Sequence, residues 1–288
     1  MKCRIIESKK HMPITMANVA INKIRKENIK KPNCIWLEAS GCFGEVITLL
    51  NGEDPDIMYF LTEMVNMNFF NTIMADQGEK AYERILKTLE SKEDLILIVC
   101  GAIPLKENFS TLVTYKGEKI SALKLLKKIA PKSKYIISVG TCACYGGPTA
   151  ARPNVSNSVD VSEALGSKSV IRIPGCPANP IWILGTLGYI ISFGKPEIDS
   201  QQRPVAFFST TIHDNCPRRH FFDNEIFATK LGDKECMYKL GCRGPITKTL
   251  CPQHRWNQSD NWPIGDNTTC IGCASSGFPD EMEPFTNY

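Results

Sequence analysis

Cysteines are the residues of this 288-residue chain with the clearest chemical potential, and six of the thirteen lie between Cys216 and Cys273. Two sets stand out there by their spacing. The first set offers one imidazole and three thiolates, from His213, Cys216, Cys236 and Cys242. The second set offers three thiolates, from Cys251, Cys270 and Cys273. Thiolates and imidazoles grouped in this way are typical of metal ligands.

Two kinds of metal centre fit these sets. The first set matches a tetrahedral structural zinc held by three cysteines and one histidine. The second set has no obvious fourth ligand, so a structural zinc would be one ligand short, whereas an iron–sulfur cluster that lacks one iron needs only three. Taken together, the two sets favour iron–sulfur clusters over zinc.

Four more cysteines each follow a predicted strand: Cys42, Cys100, Cys142 and Cys176. The predicted strands are the apolar runs 34–38, 95–99, 135–139 and 169–173. Amphipathic helical patterns lie between them, which indicates an α/β domain with a mostly parallel sheet. Because parallel strands end at one edge, the four thiols are expected to meet there. The alternative is that each is a small buried core residue, but four at equivalent positions favour a shared site.

The amino-acid composition changes near residues 195–205, where Pro, Gly, Asn and Asp become frequent and apolar runs shorten. We therefore predict three parts: a basic N-terminal arm over 1–33, an α/β domain over 34–198, and a smaller, irregular cysteine-rich domain over 199–288. Apolar residues make up 43% of the chain and charged residues 22%, which excludes disordered and fibrous classes. The net charge of +4 is too weak to indicate nucleic acid as a partner.

The expected compartment follows from the N-terminal residues and the longest apolar stretch. Lys and Arg are mixed through residues 1–31, and no apolar run suits a secretory signal. The stretch Ile181–Gly194 has the length of a buried core helix rather than a membrane span. We therefore predict a cytoplasmic protein, in which thiols stay reduced and clustered cysteines bind metal.

Several motifs resemble the small subunit of nickel-iron hydrogenases. In chain order they include Trp36-Leu-Glu-Ala-Ser-Gly-Cys42, Gly101-Ala-Ile-Pro104, Val139-Gly-Thr-Cys142, Ile173-Pro-Gly-Cys176, Ile212-His-Asp-Asn-Cys216, Tyr238-Lys-Leu-Gly-Cys242, Trp262-Pro-Ile264 and Cys270-Ile-Gly-Cys273. The resemblance runs from about residue 34 to 280, in the family's order. It implies a flavodoxin-like domain with a proximal cluster, followed by a domain with medial and distal clusters.

The resemblance also implies which residues bind each cluster. Cys42, Cys142 and Cys176 would hold the proximal cluster. His213, Cys216, Cys236 and Cys242 would hold a distal 4Fe-4S cluster. Cys251, Cys270 and Cys273 would hold a medial 3Fe-4S cluster, with Pro263 standing where some relatives have a fourth cysteine.

The first motif departs from the family pattern, because Glu45 stands where the family has a second cysteine. At the Gly101-Ala-Ile-Pro104 motif the reverse exchange occurs, since Cys100 replaces the family's glutamate. We consider three interpretations. Cys100 supplies the fourth proximal thiolate while Glu45 stays nearby; or Glu45 binds iron through oxygen, a harder donor than sulfur; or the proximal cluster is a 3Fe-4S cluster held by three cysteines alone.

The resemblance implies an electron-transfer subunit of the soluble uptake type. Such a chain relays electrons from hydrogen oxidation at the NiFe site of a separate large subunit to a redox acceptor protein or quinone. The assembly is expected to be a heterodimer or a multimer of heterodimers. Two alternatives stay open: the small subunit of a hydrogen-sensing regulatory hydrogenase, and a zinc-stabilised structural subunit.

The other reactive side chains are expected to have lesser roles. Cys3, Cys34 and Cys144 are predicted to be structural, and the extra cysteines of the oxygen-tolerant membrane-bound type are replaced by Phe43 and Gly147. Arg218 and Arg219 are expected to neutralise cluster charge or to pair with carboxylates, rather than to form a docking patch for a redox partner. His11 and His254 are expected to be ordinary polar or surface residues. For His220 we favour a surface position without a role over tuning of the distal cluster or contact with an electron acceptor.

Overall fold

A parallel β-sheet organises the first two thirds of the chain. The computed structural model describes residues 16–27, 29–167, 169–257 and 259–282. The strands are β1 Asn33–Glu38, β2 Asn66–Phe70, β3 Leu95–Cys100, β4 Ile103–Pro104, β5 Thr111–Tyr115, β6 Glu118–Ser121, β7 Tyr135–Val139, β8 Ser158–Val159 and β9 Val170–Ile173. Two antiparallel pairs, β4 with β8 and β5 with β6, lie outside the main sheet.

Helices connect the strands and fill the rest of the fold. They are α1 over 16–26, α2 Gly44–Leu50, α3 Ile57–Tyr59, α4 Gly78–Glu90, α5 Ala122–Ile129, α6 Thr141–Tyr145, α7 Gly147–Ala150, α8 Val161–Leu165, α9 Pro180–Phe193, α10 Val205–Phe208, α11 Arg219–Asp223 and α12 Cys251–His254. Within the described ranges, no helix combines the length and apolar character that a membrane crossing requires.

The main sheet has five parallel strands in the order β2-β1-β3-β7-β9. Numbered among themselves along the chain, these strands follow the flavodoxin order 2-1-3-4-5, so the predicted fold class is confirmed. The four predicted strands are present with bounds that differ by one residue at most. The edge strand β2 has the sequence Asn-Met-Asn-Phe-Phe and was not predicted, because it lacks an apolar run.

Both faces of the sheet are covered by helices, as a parallel sheet requires. One core joins strand side chains such as Trp36 and Ile98 to α1, α2 and α9. The opposite core joins Ile35 and Leu97 to α4, α5 and α8. The carboxyl ends of the strands are therefore held between two packed layers.

Helix α1 lies within the segment that we predicted as a basic arm. Its Ala17 and Ile21 are buried against Gly185 and Gly188 of α9. A Cβ added at Gly185 would lie 2.8 Å from Ala17 Cβ, so glycine at this position permits the close approach of the two helices. Residues 16–26 are thus part of the first core, whereas Cys3 and His11 lie outside the described residues.

The region after α9 has little regular structure. Helices α10, α11 and α12 have five residues or fewer, and several 3-10 turns lie between them. A small core of Ile212, Trp262, Ile264 and Cys270 packs against Cys216, Cys242 and Cys251. Cysteines thus take a large share in the small core of this region.

Candidate functional site

The strand ends bring most of the predicted proximal residues together. Cys42 follows β1, Cys142 lies in α6 just after β7, and Cys176 follows β9. Burial raises the pKa of Cys176 to about 12, and its charged neighbours include Cys273, Cys142, Glu45 and Cys42. Three thiols and one carboxylate thus share this edge of the sheet.

Glu45 enters the site from the first turn of α2 and is buried. Its carboxylate packs on Gly140, where the chain turns from β7 into α6 with a φ of 83°. A Cβ at Gly140 would lie 2.0 Å from Glu45 Oε1, so glycine makes the room for this carboxylate. Burial, with a smaller contribution from the charge of nearby Glu38, raises the pKa of Glu45 to about 7.

Cys100 is the last residue of β3 and is fully buried. Burial raises the pKa of its thiol well above the usual range, followed by the charges of Glu38 and Glu45 and a hydrogen bond with Glu38. Glu38 in turn accepts a hydrogen bond of 2.5 Å from Trp36 Nε1. Glu45 therefore neighbours both the proximal thiols Cys142 and Cys176 and the buried Cys100.

The three predicted medial residues line one cavity, which we call the medial cavity. Its lining residues include Cys251, Cys270, Cys273 and Pro263. Trp182, Trp256 and Trp262 supply much of the remaining wall. The medial cavity is therefore lined by three thiols and by mostly apolar side chains.

The four predicted distal residues line a second cavity, which we call the distal cavity. These residues are His213, Cys216, Cys236 and Cys242. Burial, and then the charge of Arg219, lowers the pKa of His213. Its imidazole is therefore neutral at physiological pH, which is the form that binds metal.

The spacing of these side chains can be compared with what a single zinc ion and an iron–sulfur cluster each require. Among the described residues, no three side chains of His, Cys, Asp or Glu lie close enough together to hold one metal ion. A zinc ion needs four ligands within about 2.3 Å, whereas the residues of each thiol set are spread around the lining of a cavity. The residues present thus fit a multi-iron group better than a single ion.

Hydrogen-bond donors point at several of the sulfurs. Gly272 N donates to Cys270 Sγ at 3.4 Å, and Thr149 Oγ1 donates to Cys142 Sγ at 3.3 Å. Backbone N–H groups also approach Cys216 and Cys242, lowering thiol pKa values that burial otherwise raises. Such donors stabilise negative charge on sulfur and set the potential of an iron–sulfur cluster.

The proximal and medial residues are joined at one point. Thr141, directly before Cys142, donates a short hydrogen bond to the backbone oxygen of Cys273. Its hydroxyl also accepts from Gly175 N at 3.1 Å, next to Cys176. The Thr141 hydroxyl therefore connects the backbone beside the proximal cysteines to the backbone of the medial residue Cys273.

His254 has a buried structural position that the sequence did not reveal. Its Nδ1 accepts a hydrogen bond of 2.8 Å from Trp182 Nε1, and its Nε2 is buried without a partner among the described residues. Burial lowers the pKa of His254 to about 4. The prediction of an ordinary polar residue missed this contact, because a lone histidine after Cys251-Pro252-Gln253 carries no periodic signal.

We expect the His254 imidazole to make stability depend on pH. The folded state binds this proton only near pH 4 and the unfolded chain near pH 6.5, so stability is complete above pH 6.5 and falls as the pH drops toward 4. The total loss is about 3 kcal/mol. His254→Asn keeps an acceptor near Nδ1 and should flatten the melting temperature between pH 7 and pH 5; an unchanged slope would contradict this role.

Arg218 ties the distal segments together, while Arg219 pairs with Asp223 at 2.8 Å. The Arg218 guanidinium donates to the backbone oxygens of Asp233, Glu235 and Ile264 at 2.9–3.0 Å. It also lines the distal cavity. Arg218 thus holds three backbone segments together by hydrogen bonds, and it also places a positive charge near the predicted cluster.

Arg218→Lys is expected to destabilise the distal cavity, because a lysine cannot donate to three carbonyls in the same plane. Leaving buried acceptors unpaired costs about 1–3 kcal/mol each. We expect a lower melting temperature and fewer irons per chain, measured by calorimetry and elemental analysis. Arg219→Lys, at an exposed ion pair, is the matched control and should change neither quantity.

The remaining side chains have simple surroundings. Cys34 and Cys144 are buried, and Cys144 Sγ contacts Ser138 Oγ at 3.3 Å, as expected of structural thiols. His220 is exposed, with Nδ1 3.0 Å from Pro217 O. Phe43 is 49% exposed beside Cys42, and the backbone of Gly147 packs against that of Cys142.

The fold and its thiol-lined sites define a class of protein: a flavodoxin-like domain joined to a cysteine-rich metal-binding region. A family model for the C-terminal part of NiFe/NiFeSe hydrogenase small subunits matches residues 208–286. A second model, NADH ubiquinone oxidoreductase 20 Kd subunit, matches residues 42–190. The two matches together span both predicted domains.

Whole-chain comparisons agree with these family models. The periplasmic NiFeSe hydrogenase small subunit of Desulfomicrobium baculatum is 36% identical over 278 residues, covering 90% of this chain and 88% of that protein. The periplasmic NiFe hydrogenase small subunit of Solidesulfovibrio fructosivorans is 36% identical over 260 residues, covering 88% and 81%. A solved Dm. baculatum NiFeSe hydrogenase chain matches with a TM-score of 0.83 at 35% identity, covering 89% of this chain and 98% of that one. The chain belongs to the family of NiFe hydrogenase small subunits.

The prediction of a cytoplasmic location is wrong. Similar small subunits from Desulfomicrobium baculatum, Solidesulfovibrio fructosivorans and Nitratidesulfovibrio vulgaris are named periplasmic. The prediction rested on the lack of an apolar secretory-signal run in residues 1–31 and on the length of the stretch Ile181–Gly194. These local features did not reveal the compartment that the names of the relatives give.

Proposed function

We propose that this chain relays electrons between the NiFe site of a large subunit and an external acceptor, through a proximal, a medial and a distal iron–sulfur cluster. One observation carries the proposal: the medial and distal residue sets each line a single cavity, and Cys273 of the medial set neighbours Cys176 of the proximal set. When bound, the clusters supply one-electron redox centres. The residues of the chain hold them at fixed spacing.

The fourth proximal ligand is proposed to be Glu45. Its carboxylate is a charged neighbour of both Cys142 and Cys176. The Cys100 thiol is hydrogen-bonded with Glu38 in the core. This arrangement supports ligation of iron by a Glu45 oxygen. In it, Cys100 is a buried neighbour of Glu38 and Glu45 and not a ligand.

The hydrogen chemistry is proposed to belong to the partner. The relatives are named small subunits of hydrogenases, which supports a heterodimer with a large subunit. The same relatives support action in the periplasm, which fractionation of the native organism would test. The proposed acceptor is a redox protein.

Elemental analysis of the purified complex tests this proposal. A three-cluster relay requires about eleven irons with matching sulfide on this chain, nickel on a larger partner, and hydrogen-dependent reduction of a viologen dye. Stoichiometric zinc in place of iron would support a structural subunit instead. Iron with negligible dye reduction would support the regulatory alternative.

A further inference from the structure

A buried hydroxyl group lies against one sulfur of the medial set. Thr249 is 1% exposed and lines the medial cavity, and its Oγ1 lies 3.1 Å from Cys251 Sγ. Over the part of the chain that the structure describes, this sulfur is the only hydrogen-bond partner of the Thr249 hydroxyl. The hydroxyl and the sulfur therefore form an isolated pair.

The chemistry of a ligand cysteine sets the direction of this hydrogen bond. A cysteine that binds iron is a thiolate and has no proton to donate. The Thr249 hydroxyl carries one proton and has no competing acceptor among the described residues, so Thr249 is the donor and Cys251 Sγ the acceptor. A hydrogen bond to an ionised acceptor is stronger than one between neutral groups.

The backbone on both sides of Thr249 is held in place. An antiparallel bridge pairs the preceding residue, Lys248, with Thr211. On the other side, His254 N donates to Leu250 O at 2.8 Å. The Thr249 hydroxyl is thus presented to the cavity from a fixed stretch of chain.

The surroundings of the pair strengthen its effect on charge. Trp182, Trp262 and Ile212 are among the apolar side chains of the cavity wall. In such surroundings the interaction between a hydroxyl dipole and a charged sulfur is screened less than it is in water.

Thr249 differs from the other donors near the sulfurs. The donor to Cys270 Sγ is the backbone N–H of Gly272, which is present whatever the side chain at that position. At the proximal set, Thr149 Oγ1 lies 3.3 Å from Cys142 Sγ and also 3.2 Å from a backbone oxygen, so its single proton is shared. The Thr249 hydroxyl has one acceptor only, and a substitution can remove it.

We propose that Thr249 sets the redox potential of the medial cluster by donating a hydrogen bond to Cys251 Sγ. The inference rests on the proposed function, because it concerns the medial cluster of that relay. Reduction adds negative charge that is shared by the ligand sulfurs, so a donor stabilises the reduced state more than the oxidised state. The Thr249 hydroxyl therefore raises the potential, and its removal lowers the potential.

A redox titration of the assembled heterodimer, followed by the medial signal in electron paramagnetic resonance, tests the inference. Thr249→Val replaces the hydroxyl by a methyl group and leaves no donor. At a fixed ambient potential, the ratio of reduced to oxidised medial cluster should fall about three- to tenfold, which corresponds to a midpoint about 30–60 mV lower for a one-electron couple. Thr249→Ser keeps the hydroxyl, so this ratio should stay within about twofold of the original value.

Thr247→Val is the matched control. Thr247 lines the same cavity, but its hydroxyl donates to Arg243 O at 2.8 Å and lies 3.1 Å from Ser275 Oγ. This variant should have a lower melting temperature, because it leaves buried polar groups unpaired, and it should keep the medial potential. An equal shift of potential in the Thr247 and Thr249 variants would overturn the inference, since any loss of polarity in the wall would then be sufficient.

The hydrogen bond can also be detected directly. After exchange into D2O, electron–nuclear double resonance on the medial signal should show a deuteron coupling in the unaltered complex and in Thr249→Ser. The same coupling should be missing from Thr249→Val. The backbone donor at Cys270 is present in all three proteins, so the difference belongs to residue 249. Identical spectra from the three proteins would overturn the inference.

The remaining outcomes separate this inference from the proposed function. An unchanged medial potential in Thr249→Val, with full iron content, overturns the inference and leaves the relay intact. Loss of medial iron in both Thr249→Val and Thr249→Ala would assign Thr249 to assembly of the site and would overturn the inference as well. If the unaltered heterodimer gives no medial signal, the proposed relay is itself contradicted, and the inference with it.

Discussion

Replacing Cys251 by serine in the assembled enzyme is expected to lower hydrogen-dependent dye reduction by at least about a hundredfold. Cys251 lies at the medial cavity, where Thr249 Oγ1 is 3.1 Å from its Sγ. A hydroxyl is a far weaker ligand for iron than a thiolate, so the central group of the relay would be lost. Elemental analysis should show about three fewer irons per chain.

Hydrogen–deuterium exchange provides the discriminating measurement for Cys251→Ser. Exchange occurs at the partner's NiFe site and needs no electron transfer through this chain, so it should continue at a normal rate. Cys144→Ser is the matched control, because Cys144 is a buried thiol outside the proposed ligand sets. Full dye reduction by Cys251→Ser, or loss of iron in Cys144→Ser, would show that the medial assignment is wrong.

Removing the Glu45 carboxylate should disrupt the proximal cluster, whereas removing the Cys100 thiol should not. Glu45→Ala takes away the proposed oxygen ligand, and we expect one iron fewer or a lost cluster, with dye reduction at least about tenfold lower. Cys100→Ser alters only the thiol beside Glu38. Its proximal signal in electron paramagnetic resonance should keep its line shape.

The reverse result would support the interpretation in which Cys100 supplies the fourth proximal thiolate. If Cys100→Ser loses the proximal signal while Glu45→Ala keeps it, Cys100 is the fourth ligand. If both variants keep an unchanged three-iron signal, three cysteines suffice. Glu45→Cys restores the family's Cys-x2-Cys spacing and should assemble a four-iron proximal cluster, which makes it a positive control for folding of the site.

The main sheet was predictable because buried parallel strands are continuous apolar runs. Leu95–Cys100 and Tyr135–Val139 are of this kind, and the stretch Ile181–Gly194 became the buried helix α9. Edge strand β2 escaped prediction, since its first three residues are only partly buried or exposed and alternate in polarity. Helix α1 was predicted as part of a basic arm, because charged residues are interspersed in its sequence with the apolar residues that pack on α9.

The thiol sets were predictable for a different reason. A metal site needs particular ligand types, and in the C-terminal region these ligands replace the hydrophobic pattern as the organising feature. The spacing within each set, as in Cys270-x2-Cys273, grouped residues that the structure places around one cavity. The roles of His254 and Arg218 were not visible, because both depend on partners more than 15 residues away in the chain.

The class of fold and the family of this protein are properties that the order of residues already contains, since strand patterns and cysteine spacing are local. Tertiary structure decided which groups meet. The neighbourhood of Glu45 depends on Gly140, which follows β7, and the link between two thiol sets depends on Thr141. Contacts between distant segments form only when the chain folds, and spacing along the sequence does not encode them.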